Sequence, residues 1–394
     1  MNVGELNPHL RLLLGPGPSP VHPRVLKAMS TNVVGHLDPD FLSVMDDCQV
    51  MLRGLFGTEN RVTFPVSGTG SAGMEAAVCN VIEPGDKAII CVNGVFGGRM
   101  ADVAGRYGAE VIKVEAPWGQ PIDPTDVKKA LDANPGAAIV GIVHAETSTG
   151  VLQPMEEIGA ACQSHGALLL MDCVTSLGGV PVEVDKWGAE IAYSGTQKCL
   201  SCPPGVAPLT MSERALGKMR ERKEKVKSWY FDVTMIENYW GSDRSYHHTG
   251  PITMNYAIRE ALRLVFEEGL ELRFARHALA SKALQAGVEA LGLSMFAQEG
   301  DRTPTLNTVS IGEGIDDGEV RKALLNDFNI EIGGGLGPVA GKAWRIGMMG
   351  HGARQENVVY LMSALEVIFN RMGYTKKVGE ASAAATRVYA EALA

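Results

Sequence analysis

The sequence contains no apolar run long enough to span a membrane as a helix. Residues 1–8 lack the basic segment followed by an apolar one that marks a secretory signal. Basic residues are outnumbered by acidic ones, 36 to 45, and the net charge of -9 argues against nucleic acid or an anionic membrane as the main partner. We therefore expect a cytoplasmic protein that binds neither nucleic acid nor membrane.

Cysteine is also scarce. Seven cysteines in 394 residues do not suggest a disulfide scaffold, and their odd number fits a reducing compartment. Cys199 and Cys202 have C-x-x-C spacing, but no second pair or histidine partner stands at metal-ligand spacing. Adjacent His247 and His248 point in different directions on an extended chain. We interpret the cysteines as packing residues and predict no metal site.

Strand and helix patterns alternate along the chain with short links. This alternation predicts an α/β fold in which helices cover both faces of a mainly parallel sheet. The length of 394 residues exceeds one ordinary core, so a smaller second unit is expected. Strands are predicted at 62–66, 87–92, 110–114, 137–144, 167–172, 189–193 and 206–211, and helices at 23–30, 38–56, 74–81, 97–107, 124–133, 154–165, 213–227 and 258–291. The helix at 213–227 is interpreted as a solvated charged face, and the alanine-rich end after Tyr374 as a frayed helix.

Two charged residues follow buried strands. Lys198 lies in the connection between strands 189–193 and 206–211, either as a surface residue or as a buried amine whose lowered pKa makes it nucleophilic. Asp172 ends the continuous apolar run 167–172, as expected of a central parallel strand with a functional group at its carboxyl end. Pyridoxal phosphate requires such a pair, since the lysine holds its aldehyde as a Schiff base and the aspartate keeps its pyridine nitrogen protonated.

A glycine-rich turn follows strand 62–66. Gly68, Gly70 and Gly73 formally match the G-x-G-x-x-G fingerprint of dinucleotide folds, but no acidic residue closes a strand about twenty positions later. Backbone N–H groups at a helix N-terminus, with the hydroxyls of Thr69 and Ser71, are suited to a phosphate group. A plain tight turn is the alternative.

Four more positions bear candidate binding groups. Phe96, in a glycine-flanked turn, is placed either to stack on a flat cofactor ring or to pack ordinarily. Thr147 begins three consecutive hydroxyl residues that suit a phenolic oxygen, a substrate, a helix cap or a turn. Gly17 lies in the stiff segment 15–20, which is either a linker or the lining of a cleft. Arg345, in an apolar strand, must pair with a structural carboxylate or a substrate carboxylate.

Together these segments resemble a known family, the class V aminotransferases of pyridoxal phosphate fold type I, and within it most closely the alanine–glyoxylate (serine–pyruvate) branch. The resemblance covers the chain from Leu13 to about Met372. It rests on the motifs LLGPGPS at 13–19, SGTG at 67–70, STGVLQP at 148–154, YSGTQK at 193–198, YHHT at 246–249, GGLGP at 334–338 and RIG at 345–347. It implies a large domain with a mainly parallel seven-stranded sheet between helices and a smaller α+β domain.

The resemblance also implies roles for individual residues. Lys198 and Asp172 are the implied catalytic pair, Arg345 is implied to bind the substrate α-carboxylate, and Gly17 to line the substrate site. Phe96 stands where close relatives stack a tryptophan, and Ser71 where a histidine is common. The remaining implied cofactor contacts are Thr69, Gly70, Ser71, Thr147 and Gln197, with Tyr246 and Thr249 from the other subunit of a homodimer.

The activity implied is transfer of an amino group from a small amino acid, alanine or serine, to a 2-oxo acid such as glyoxylate or pyruvate. Ping-pong kinetics through pyridoxamine phosphate should follow. Ureidoglycine or a related small amine is an alternative donor, and a cysteine desulfurase or an NAD(P)-binding oxidoreductase is an alternative enzyme. We expect an N-terminal segment at 1–22 that crosses to the partner or small domain, a large cofactor-binding domain at 23–256 and a small domain at 257–394.

Overall fold

The computed structural model of the protein describes residues 3–392. Its helices are α1 (Pro23–Met29), α2 (Pro39–Phe56), α3 (Gly70–Val81), α4 (Val95–Arg106), α5 (Pro124–Ala133), α6 (Glu156–His165), α7 (Glu213–Arg220), α8 (Val233–Trp240), α9 (Ile252–Glu268), α10 (Leu270–Ala290), α11 (Asp317–Phe328), α12 (Gln355–Arg371) and α13 (Glu380–Ala392). Within the described part of the chain, none of these helices is both long enough and apolar enough to cross a membrane.

The strands form one large sheet and three smaller ones. They are β1 (Leu12–Leu13), β2 (Val62–Ser67), β3 (Lys87–Val92), β4 (Glu110–Glu115), β5 (Ile139–Val143), β6 (Ala145–Glu146), β7 (Val151–Leu152), β8 (Leu168–Asp172), β9 (Ile191–Tyr193), β10 (Val206–Met211), β11 (Ser294–Met295), β12 (Leu306–Ser310), β13 (Ile330–Glu331), β14 (Gly333–Gly334) and β15 (Ala343–Gly347).

The large sheet has seven strands in the order β2-β10-β9-β8-β5-β3-β4. Strand β10 runs antiparallel to both of its neighbours, and the other pairs are parallel. Helices α2 to α9 contribute buried apolar residues to the core around this sheet. The predicted α/β fold with a mainly parallel seven-stranded sheet is confirmed. Because parallel strands end at the same edge of the sheet, the groups that follow β8 and β9 come together there.

A second hydrophobic core lies in the C-terminal part of the chain. Helices α10 to α13 pack there with the antiparallel sheet β11-β12-β15-β14. Strand β1 pairs with β13 and Leu14 is buried in this core, so the N-terminal segment is attached to the C-terminal unit. Helix α9 crosses residue 257, and its buried side chains belong to the first core. We propose that the domains divide at Gly269, where φ is 85° and α10 begins.

Two helix predictions in the second half of the chain were wrong in extent. The helix predicted at 213–227 ends at Arg220, because the guanidinium of Arg222 donates to the Asn80 and Ile82 carbonyls at 3.0 and 2.9 Å. These contacts hold the following segment in a non-helical path against α3. The run 258–291 is two helices separated at Gly269.

The alanine-rich C-terminal segment is not a frayed helix. Helix α13 buries Ala381, Ala385 and Tyr389 in the second core against α10 and α12. The carboxylate of Glu366 on α12 accepts hydrogen bonds from the N–H groups of Ala381 and Ser382, at 2.5 and 3.4 Å. Small side chains allow close packing here, so tertiary contacts stabilise a segment whose sequence suggested fraying.

Candidate active site

Lys198 lies in the segment that follows β9, and it is buried with 8% of its surface exposed. Its Nζ donates a hydrogen bond to the carbonyl oxygen of Pro16. Burial, together with the charge of Arg345, lowers the pKa of the amine to about 8. At pH 7 about 10% of such amines are neutral, against about 0.04% for a lysine with the ordinary pKa of about 10.4. Lys198 is therefore a buried nucleophile candidate and not a surface residue.

Gly17 provides the room that this lysine occupies. Its φ is 104°, and a Cβ at this position would lie 2.8 Å from Cδ and 2.9 Å from Nζ of Lys198. Any larger residue would displace the amine. The stiff segment at 15–20 thus lines the site rather than serving as a linker alone.

Asp172 ends β8 and pairs in register with Tyr193 of β9 and Val143 of β5. Its Oδ1 accepts a hydrogen bond from the N–H of Val174 at 2.8 Å, and its Oδ2 accepts one from the Tyr193 hydroxyl at 2.6 Å. Burial raises the pKa of this carboxyl to about 6. The two hydrogen bonds fix the orientation of the carboxylate, which forms no ion pair within residues 3–392.

Lys198 and Asp172 line one cavity of about 210 Å³. Seven of the residues predicted from the sequence meet at it: Thr69, Gly70, Ser71, Phe96, Asp172, Gln197 and Lys198. Sequence reasoning missed the other lining residues, Met74, Arg99, Val174 and Tyr193. If the helix had been predicted to begin at residue 95, Arg99 would have been expected on the same side as Phe96, since residues three positions apart share a helix face.

The phosphate-binding prediction falls at the N-terminus of α3, one turn earlier than the helix predicted at 74–81. Thr69 is the N-cap residue, and its hydroxyl makes no capping hydrogen bond. The Oε1 of Gln197 is buried without a hydrogen-bond partner within residues 3–392. A Cβ on Gly70 would lie 3.3 Å from Cγ2 of Val174, so a glycine keeps the cradle open. Free helix N–H groups and a free hydroxyl fit a phosphate group, and the Gln197 amide fits it when its NH₂ group, rather than Oε1, faces the phosphate.

Phe96 lies in the first turn of α4, which begins at Val95 and not at residue 97 as predicted. Its half-buried ring faces the cavity, and the guanidinium carbon of Arg99 lies 4.8 Å from the ring centroid. The ring, the phosphate cradle, the amine and the carboxylate together fit pyridoxal phosphate, the cofactor that the resemblance implies.

Arg345 and Thr147 are not among the residues that line this cavity. The Nε of Arg345 donates to the Gly334 carbonyl at 2.8 Å, and burial lowers the pKa of the guanidinium. Within the described residues no carboxylate forms a direct ion pair with Arg345, and the charge of buried Glu146 acts on the guanidinium from a longer distance. The hydroxyl of Thr147 lies 2.7 Å from that of Thr175.

Tyr246 and Thr249 lie away from the cavity of their own chain. Tyr246 is 58% exposed, and its hydroxyl lies 3.4 Å from Oγ1 of Thr249. Neither residue lines the cavity that contains Lys198. Their placement in the same protomer therefore gives them no contact with this site.

The C-x-x-C pair is fully buried. Burial raises the pKa of the thiols of both Cys199 and Cys202 to about 12. Their thiolate forms are thus rare at neutral pH, which suits packing residues.

Residues 11–358 match the model of the family described as aminotransferase class-V. The crystal structure of alanine–glyoxylate aminotransferase from Nostoc sp. matches with a TM-score of 0.92 and 50% identity, over 94% of this chain and 98% of that one. The crystal structure of ureidoglycine–glyoxylate aminotransferase from Bacillus subtilis matches with a TM-score of 0.96 and 45% identity, over 98% of this chain and 100% of that one. Alanine–glyoxylate aminotransferase of Drosophila melanogaster is 41% identical, over 90% of this chain and 91% of that protein.

Proposed function

This chain belongs to the class V aminotransferases and is therefore a pyridoxal phosphate enzyme, and we propose that it transfers the amino group of alanine or serine to glyoxylate or pyruvate. The observation that carries this proposal is the buried amine of Lys198, which shares a cavity with Asp172 while the unpaired guanidinium of Arg345 acts on it electrostatically. A second donor, ureidoglycine, is favoured by the similarity to the B. subtilis structure at a TM-score of 0.96.

When bound, pyridoxal phosphate supplies an aldehyde that exchanges between amines and a ring that accepts electrons from the substrate. Lys198 would hold the aldehyde through its amine and, once a substrate amine takes that place, would be positioned to move the proton at Cα. The Pro16 carbonyl, which already accepts a hydrogen bond from Nζ, orients the released amine. Asp172 is the carboxylate that would accept a hydrogen bond from the ring N–H and so keep that nitrogen protonated.

Substrate binding follows from the charge at Arg345. A guanidinium with no acidic partner among the described residues matches the α-carboxylate of an amino acid in a bidentate arrangement. The cavity that contains Lys198 has a volume of only about 210 Å³, which favours a substrate with a short side chain. Small amino acids such as alanine and serine fit these limits.

The proposed assembly is a homodimer in the cytoplasm, in which Tyr246 and Thr249 reach the cavity of the partner subunit. The support is that Tyr246 is 58% exposed and so is Trp229, an unusual exposure for two large aromatic side chains in neighbouring segments. Because neither Tyr246 nor Thr249 lines the cavity of its own chain, we infer that their hydroxyl groups lie at the cavity of a second copy.

A half-reaction screen tests the donor. The yellow holoenzyme, without an acceptor, is mixed with alanine, serine or ureidoglycine, and loss of the visible absorption is followed by stopped flow. We expect alanine and serine to bleach the enzyme fully and glyoxylate to restore the colour. If ureidoglycine alone bleached the enzyme, ureidoglycine and not alanine or serine would be the donor. If none of the three amines bleached it, the proposal would be contradicted.

Replacing Arg345 with alanine should raise the KM for alanine on the order of 100-fold, because the α-carboxylate loses charge-assisted hydrogen bonds. The dissociation constant of the cofactor should change by less than about threefold, since Arg345 does not line the cofactor cavity. Steady-state kinetics and titration of the apoenzyme measure the two quantities. Arg354→Ala, which removes a guanidinium paired with Glu356 at 3.0 Å, is the control and should leave KM unchanged. An unchanged KM in Arg345→Ala would remove this residue from the site.

A further inference from the structure

The N-terminus of α4, where Phe96 lies, is capped by side chains from a distant part of the chain. The N-cap residue Gly94 has no side chain to accept a hydrogen bond. Instead, the N–H of Val95 donates to Oγ of Ser148 at 2.9 Å. The N–H groups of Phe96 and Gly97 donate to Oε2 of Glu146 at 3.1 and 3.3 Å. Three consecutive N–H groups that a helix start leaves free are thus satisfied from about fifty residues away.

Glu146 is a fully buried carboxylate. Its Oε1 accepts hydrogen bonds from the N–H and the hydroxyl of Ser148, at 3.0 and 2.6 Å. Burial raises the pKa of the carboxyl, while all four hydrogen bonds are donated to it and favour the ionised form. The positive end of the α4 dipole lies directly against this carboxylate, which compensates its charge.

The close approach depends on glycine at position 94. A Cβ on Gly94 would lie 2.4 Å from Cγ and Cδ of Glu146 and 2.5 Å from Oγ of Ser148. On the other side, a Cβ on Gly97 would lie 2.4 Å from the Cys91 carbonyl oxygen. The first turn of α4 is therefore held between the end of β3 and the Glu146 carboxylate, with no space for adjustment.

We propose that Glu146 and Ser148 form a cross-chain helix cap whose function is to position the Phe96 ring over the cofactor. Glu146 is a positioning residue, since its carboxylate contacts backbone N–H groups and does not line the cavity. The inference rests on the proposed stacking of Phe96 on the cofactor ring. It predicts that the cap controls cofactor affinity and ring orientation through the first turn of α4.

Glu146→Gln is the principal test. The amide keeps the shape of the side chain but places an N–H₂ group against N–H and O–H donors, so at least one buried hydrogen bond is lost. We expect the dissociation constant of pyridoxal phosphate to rise about 10- to 100-fold. We also expect the visible circular dichroism of the bound cofactor, which reports the orientation of its ring, to change in sign or fall by at least about half. Ser148→Ala, which removes a smaller part of the cap, should shift both quantities in the same direction and serves if Glu146→Gln does not fold.

The chain offers a matched control at Glu366. This buried carboxylate accepts the N–H groups of Ala381 and Ser382, and the Ser382 hydroxyl at 2.9 Å, at the start of α13 in the second core. Glu366→Gln should lower the melting temperature of the apoprotein about as much as Glu146→Gln. It should leave cofactor affinity and visible circular dichroism unchanged. If Glu366→Gln changed the visible circular dichroism as much as Glu146→Gln does, the change would reflect lost stability alone, and the inference would be overturned.

A double variant tests whether Glu146 acts through the ring of Phe96. Phe96→Leu removes the ring, and adding Glu146→Gln to it should raise the dissociation constant less than twofold further. Additive effects, or a Glu146→Gln variant with wild-type affinity and dichroism, would overturn the inference. Phe96→Leu with wild-type dichroism would overturn it as well, while the spectrum of Lys198→Ala separately reports whether the proposed lysine function holds.

Discussion

Replacing Lys198 with alanine is expected to reduce turnover by at least about 10⁴-fold, because the variant loses both the nucleophile and the group that moves the Cα proton. The visible absorption that arises when a lysine amine is bonded to the cofactor aldehyde should disappear at the same time. The pKa of about 8 supports Lys198 as the proposed reactive amine, and among residues 3–392 it is the one lysine that lines the cavity. Spectra of the reconstituted protein and single-turnover kinetics with alanine measure the two effects.

Lys186→Ala is the control for this substitution. Lys186 is an exposed lysine whose Nζ lies 2.6 Å from Oε2 of Glu183, and its loss should leave spectrum and turnover unchanged. Added methylamine should restore part of the activity of Lys198→Ala, since a free amine can occupy the space left by the side chain. If Lys198→Ala kept both its absorption and its turnover, the assignment of Lys198 would be wrong.

Lys198 and Asp172 were predictable from sequence for a geometric reason. Each follows an apolar run, and each run forms a strand of one parallel pair, in which Asp172 stands opposite Tyr193. The end of such a pair is the edge at which functional groups of an α/β sheet collect. The end of a strand can be predicted from the local hydrophobic pattern, and this pattern was enough to predict that both residues lie at one site.

The helix start at Val95 was not predictable in this way. Gly94 and Gly97 suggest a turn when read locally, because glycine disfavours helix. In the structure, Glu146 accepts hydrogen bonds from this first turn and overrides the local preference. A carboxylate about fifty residues away leaves no signal near residue 94. Arg99 was missed for the same reason, since its place at the cavity depends on the helix beginning there.

The glycine-rich turn at 68–73 shows a second limit on what the local sequence can predict about the site. Its formal dinucleotide fingerprint is not supported, because the chain matches the class V aminotransferase family instead, and we propose that the turn binds a cofactor phosphate. Thr69 and Gln197 follow different strands and meet at one cavity only in the folded chain. Local sequence identified the N–H groups, whereas the polar groups around them required tertiary structure.

Asp172→Asn is expected to lower kcat on the order of 10²- to 10⁴-fold while the variant still binds the cofactor. Asparagine keeps the shape of the side chain and accepts the Val174 N–H, but it has no charge to keep the pyridine nitrogen protonated. The electron demand of the ring therefore falls, and removal of the Cα proton becomes slow. Stopped-flow measurement of the alanine half-reaction reports this step directly. Asp317→Asn, at a carboxylate that pairs with Arg321 on α11, is the control and should keep wild-type kcat.

The raised pKa of Asp172 gives this prediction a pH dependence. Since burial raises the pKa to about 6, the folded apoprotein binds this proton more tightly than the unfolded chain does, and the stability contributed by the protonated acid is lost as pH rises through 6. Above that pH, apo Asp172→Asn should melt at a higher temperature than apo wild type, because it buries no charge. Both proteins should lose cofactor affinity at low pH as Lys198 is protonated, but below pH 6 the affinity of wild type should fall more steeply, because only wild type has a carboxylate to protonate. Parallel pH profiles for the two proteins would mean that this carboxylate does not face the ring nitrogen.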